Sequence, residues 1–68
     1  MDKVNITLKA VRVNAGMTQK EWAEVLNVTV DTVLNWENGK SEPKHSQVQK
    51  MSELSGIPMD YIFVPMKS

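Results

Sequence analysis

Apolar residues recur along this chain at intervals of three and four, the period of helices that bury one face, and not in strand-like alternation. Ile6, Leu8, Val11 and Ala15 predict a first helix over about Asn5 to Ala15, which Gly16 ends. Thr18-Gln19-Lys20-Glu21 reads as a capping box that opens a second helix, with Trp22, Ala23, Val25 and Leu26 on its inward side. Asn27 tolerates the left-handed conformation and is expected to stop that helix near residue 26. Thr29 caps a third helix that reaches about Glu37. Asp31 lies in its first turn, and Val33 and Trp36 face inward. Asn38-Gly39 is a hairpin signal in other settings, but its helix-periodic flanks make it a helix end here. Lys40 to Lys44 forms a polar loop stiffened by Pro43. A fourth helix follows over about Ser46 to Ser55, with Val48, Met51 and either Leu54 or Ser55 inward and Gly56 as its stop. Pro58 is placed to start a short fifth helix through Met59, Ile62 and Phe63. The pattern predicts an all-α fold of five helices, with residues 1–68 as a single domain.

Composition narrows the chemistry. A chain of 68 residues is expected to build one small core, without a second catalytic domain or an effector-sensing one. The absence of cysteine removes disulfides, thiolate catalysis and cysteine-based zinc sites together. His45, the one histidine, makes no metal cluster by itself. No apolar run approaches the ~20 residues of a membrane span, and the N-terminus lacks the pattern of a signal peptide, so a cytoplasmic location is expected. No nucleophile–base pair or phosphate-cradling glycine loop stands out. Neither enzyme activity, a cofactor, a metal nor a small-molecule substrate is therefore expected. Eight basic and eight acidic residues balance to a net charge of zero. A nucleic-acid binder with that balance needs its positive groups gathered on one face, and its non-specific affinity is weak.

Two helices joined through a turn at about residues 27–29 have the geometry of a helix-turn-helix, from Thr18 to Glu37. The ordered set Thr18-Gln19-Lys20-Glu21-Trp22-Ala23-Glu24-Val25-Leu26-Asn27-Val28-Thr29, then Val33, Asn35-Trp36-Glu37-Asn38-Gly39-Lys40 and Glu42-Pro43, resembles the family of phage lambda repressor and Cro, with its short Xre-like regulators. The likeness runs from about Leu8 to Tyr61. It implies a compact five-helix bundle of the lambda repressor-like type, dimeric on a two-fold operator, with helix three in the major groove of double-stranded DNA. Under the resemblance Val30, Asp31, Thr32 and Asn35 occupy base-reading positions. Gln19 sets its backbone amide near a phosphate while its side chain buttresses the reading helix. Asn38, Gly39 and Lys40 lie in a loop that touches the DNA backbone, and Ala23 permits the close crossing of helices two and three.

The residues can be weighed without the family. With Val33 and Trp36 inward, Asp31 and Asn35 (one turn apart) point outward, flanked by Thr32 and Leu34. An asparagine pairs with adenine N6 and N7, a valine meets a thymine methyl, and a threonine serves base or phosphate. The start of helix two, at Thr18 and Gln19, presents free N–H groups that suit a phosphate, and Lys40 and Lys44 suit another. Each has a plainer reading. Gln19, Asn35, Lys40 and Lys44 are equally ordinary solvated residues, and Asp31 favours the helix dipole with no DNA present. Lys9 and Arg12 read as solvated surface, and His45 falls where the resemblance implies an apolar residue, so it is expected to pack against the core. Leu34 meets a thymine methyl, touches a protein partner, or packs locally.

Two functions fit. One is a DNA-binding regulator, a repressor of phage, plasmid or bacterial origin, dimeric through Tyr61, Phe63, Val64 and Met66, with recognition helices ~34 Å apart. The other is a protein-interaction module on the same fold, an anti-repressor or antitoxin that grips a protein partner, as net neutrality, Asp31 and Leu34 suggest. On the plainer reading, Tyr61 and Phe63 only close the core.

Overall fold

The computed structural model describes residues 5–65. Four α-helices follow one another: α1 (Leu8–Asn14), α2 (Gln19–Leu26), α3 (Val30–Glu37) and α4 (His45–Ser55), then a single 3-10 turn at Met59–Tyr61. Each helix contributes one of the four most deeply buried large side chains: Val11, Trp22, Val33 and Met51. Leu8, Ala23, Leu26, Trp36, Val48 and Ile62 complete the core around them. The helices pack as two crossed pairs, α2 on α3 and α1 on α4.

Helix ends are set by local chemistry. At α2 the Thr18 Oγ1 accepts from the Glu21 amide at 3.1 Å, and the Glu21 carboxylate accepts from the Thr18 amide at 2.9 Å. This is the reciprocal box that the sequence predicts, and it satisfies two otherwise orphaned donors. Thr29 caps α3 in the same manner, accepting from the Thr32 amide at 3.2 Å. At the other end of α2, Asn27 sits at φ 59°, and Val28 N–H reaches the Ala23 carbonyl at 2.9 Å. An αL residue followed by this six-to-one hydrogen bond is what turns the chain out of α2 and into α3. Replacing Thr18 with alanine removes one half of the box. The expected loss is about 1 kcal/mol, seen as a fall of about 4–8 °C in Tm by circular dichroism.

The sequence-based expectations need correction in three places. The first helix begins at Leu8 and not at Asn5, because Thr7 caps it, its Oγ1 accepting from Ala10 N at 3.1 Å. Val25, expected inward, is 40% exposed: it lies on the flank of α2, while Trp22, Ala23 and Leu26 fill the buried side. Among the described residues the fifth helix is absent, and the bundle there has four helices and a 3-10 turn. Its place is taken by extended chain. Ile62 adopts φ −85°, ψ 119° and forms a parallel bridge with Ile6. The Tyr61 carbonyl accepts from Ile6 N at 2.7 Å, and Phe63 N donates to the Ile6 carbonyl at 2.8 Å. Backbone groups committed to that bridge cannot continue a helix, and the burial alternates accordingly, with Ile62 in and Tyr61 and Phe63 out.

Candidate nucleic-acid interface

The turn between α2 and α3 has three residues, Asn27 to Thr29, and it leaves one side of α3 without a covering element. That side carries Asp31 and Asn35 at its centre, both exposed, with Val30 and Leu34 along one flank, each 36% exposed. Thr32 lies on the opposite flank and is half-buried. Its hydroxyl is 2.9 Å from that of Thr29, so it is already engaged within the helix cap.

A buried polar clamp fixes the far end of α3. Glu37 Oε2 accepts from Arg12 Nε at 2.7 Å, and its Oε1 accepts from Arg12 Nη2 at 3.4 Å and from Gln19 Nε2 at 3.3 Å. Arg12 Nη1 also donates to the Met17 carbonyl at 3.0 Å. The ion pair is nearly sealed, with the Arg12 and Glu37 side chains 10% and 7% exposed. One carboxylate thus ties together α1, the loop after it, the first residue of α2 and the last residue of α3. Arg12, read from sequence as solvated surface, is the buried charged residue among those described. The carboxylate stands at the negative end of the α3 dipole, where an unpaired acid is disfavoured, and the guanidinium compensates both.

The loop beyond α3 is ordered by the same helix. Gly39, at φ 75°, donates to the Trp36 carbonyl at 3.2 Å, and Lys40 N donates to the Asn35 carbonyl at 2.8 Å. This paired closure needs a left-handed residue at Gly39 and holds Asn38 and Lys40 just past Glu37. Gln19, Asn38 and Lys40 therefore share the C-terminal end of α3, while Val30 and Asp31 mark its other end. Thr18 is exposed at the start of α2, with its hydroxyl and amide both used in the capping box. Lys44 is exposed at the N-cap of α4, and among the described residues no hydrogen bond joins it to the Gln19 group. His45 is not core. It opens α4 on the exposed side, and the neighbouring Pro43 is buried in its stead.

Tyr61 and Phe63 are 45% and 44% exposed, and Val64 is half-buried against the core. Met66 lies outside the described residues. The segment bearing them passes close to the loop after α3: a side-chain carbon at Gly39 would lie 3.9 Å from Cβ of Pro65.

A capped helix, a three-residue turn opened by the left-handed Asn27 and a second helix with an open polar face together define a helix-turn-helix module. The chain belongs to the helix-turn-helix family of the Cro/C1 type, whose model matches residues 8–62. It is similar to the HTH-type transcriptional regulator ImmR of Bacillus subtilis (strain 168), with 38% identity over 55 residues. That stretch is 81% of this chain and 43% of the relative, so the chain spans less than half the relative's length. No solved structure gave a significant match. Among the described residues no helix is long and apolar enough to cross a membrane.

Proposed function

We propose that the chain is one DNA-binding domain, residues 1–68, that acts as a transcriptional regulator by laying α3 in the major groove of an operator. The observation that carries this reading is the open face of α3, held at a fixed angle by the Arg12–Glu37–Gln19 clamp. In this reading Asn35 is the main hydrogen-bonding reader of a base edge, with Val30, Asp31 and Thr32 beside it. Gln19 presents its backbone amide at the start of α2 to one phosphate, with Thr18 beside it, and Asn38 and Lys40 hold another, with Lys44 further out. The regulator works as a homodimer. Tyr61, which ends the 3-10 turn, and Phe63, in the extended chain after it, are exposed and supply the apolar contact with a second copy, and Val64 and Met66 extend it.

Zero net charge makes the phosphate contribution small, so recognition depends on the base contacts and on pairing two half-sites. Mobility-shift titrations on duplexes enriched from a random pool, repeated across salt concentrations, test the proposal. The expected result is salt-sensitive binding to two-fold symmetric sites. Asn35→Ala is expected to weaken it by about 1–3 kcal/mol, the value of a bidentate adenine contact. Undiminished binding by that variant would remove Asn35 from the reading set.

A further inference from the structure

We infer that Val30 and Leu34 form a ridge that reads thymine methyl groups, that Leu34 is a specificity-determining residue, and that the base pairs under α3 are rich in A·T. The inference rests on the DNA-binding reading above and names what that face recognises. On a helix of ~3.6 residues per turn, Val30 and Leu34 lie one above the other, as do Asp31 and Asn35 beside them. The open face of α3 is therefore two adjacent strips, one apolar and one polar.

Asn35 and the apolar strip point to the same base pair, and Asp31 is compatible with it. From Val30 to Glu37 the helix contains no lysine or arginine, so the commonest guanine contact, a cationic fork on O6 and N7, has no donor on it. The Thr32 hydroxyl, 2.9 Å from that of Thr29, can serve any base and so does not select guanine. Asp31 offers only acceptors and so meets the amino groups of adenine or cytosine, not the acceptor edge of guanine. Asn35 matches adenine, whose paired thymine places its C5-methyl in the same groove. That methyl is the apolar group the major groove offers, and it is what a valine–leucine strip can cover. Burying the strip against any other base edge would dehydrate polar atoms without giving them a partner.

Size decides between DNA and a protein as the occupant. A stable protein interface buries roughly 800 Å² on each side, whereas this strip is two side chains on one helical turn, bordered by Asp31 and Asn35. It is continuous with the polar strip of Asp31 and Asn35, the face that the reading above lays in the major groove. Methyl contacts also carry no ionic component, which suits a protein whose surface has no charge excess.

The test compares duplexes enriched from a random pool, synthesised with thymine or with deoxyuridine, which lacks only the methyl. Wild-type protein is expected to lose about fourfold in affinity for each contacted methyl removed, the equivalent of one buried CH₂. In Leu34→Ala the thymine-to-uracil affinity ratio is expected to fall toward one at the position Leu34 covers, and enrichment of thymine there is lost. The ratio is taken within one protein preparation, so any loss of folded variant cancels. Specific, salt-sensitive binding with equal affinity for thymine and uracil sites would overturn the ridge and leave the DNA-binding reading intact. Enrichment of guanine-rich half-sites would overturn it likewise. No salt-sensitive retention of the pool would overturn both, and would return Val30 and Leu34 to a protein partner.

Discussion

Arg12→Ala is expected to destabilise the fold by about 3–5 kcal/mol, because it strands the Glu37 carboxylate in a nearly water-free position. Chains of this length have roughly 3–10 kcal/mol in total, so the loss is a large fraction of the stability and should lower both Tm and the urea midpoint markedly. Thermal and urea unfolding followed by circular dichroism measure the loss. The double variant Arg12→Met, Glu37→Leu is expected to regain most of it, since the attraction of a buried pair roughly offsets the cost of dehydrating two charges. That variant also frees the Gln19 amide from α3. It therefore separates stability, which recovers, from the fixed angle between α2 and α3, which does not. A single Arg12→Ala protein as stable as wild type would show that the clamp is dispensable.

Trp22→Ala is expected to cost about 3–5 kcal/mol, the usual result of emptying a large, well-packed aromatic site. Trp22 is 1% exposed and touches the centre of the core from α2. Val25→Ala, one turn along the same helix, is expected to fall within about 0.5 kcal/mol of wild type, as surface substitutions do. Parallel urea titrations with matched slopes give both values. The contrast matters because hydropathy alone puts both residues inside. A cost for Val25→Ala similar to that for Trp22→Ala would mean that another molecule covers that flank of α2 in solution.

What the sequence discloses about this fold is what is encoded locally. Thr18 with Glu21, Thr29 with Thr32, and Asn27 act within four residues of themselves, so residue type and spacing suffice to place α2, the turn and α3. Val33 and Trp36 fix which side of α3 is inward, and hence that Asp31 and Asn35 face out. Arg12 and Glu37 are different. Their burial depends on three segments that meet only in the folded molecule, around residues 12, 19 and 37. A clue was present in that an arginine falls one residue after Val11 and beside the inward stripe of α1, but pattern alone does not pair it. The region after Gly56 misled for a related reason. Pro58, Met59 and Ile62 have helical spacing, and the bridge to Ile6 overrides it. His45 was expected to pack because the family resemblance puts an apolar residue at its position, but it is exposed at the start of α4, while Pro43 is buried.

The Ile6–Ile62 bridge joins residues 56 positions apart (62 − 6), closing a ring of chain that contains every helix. Closing so large a ring costs entropy before its two hydrogen bonds return anything, whereas α2 and α3 meet across three residues. The expected order of assembly is that the helix-turn-helix forms from its own neighbours before the clasp shuts. Opening is expected to run the other way, with fraying at the clasp loosening the segment that carries Tyr61 and Phe63 before it reaches α3.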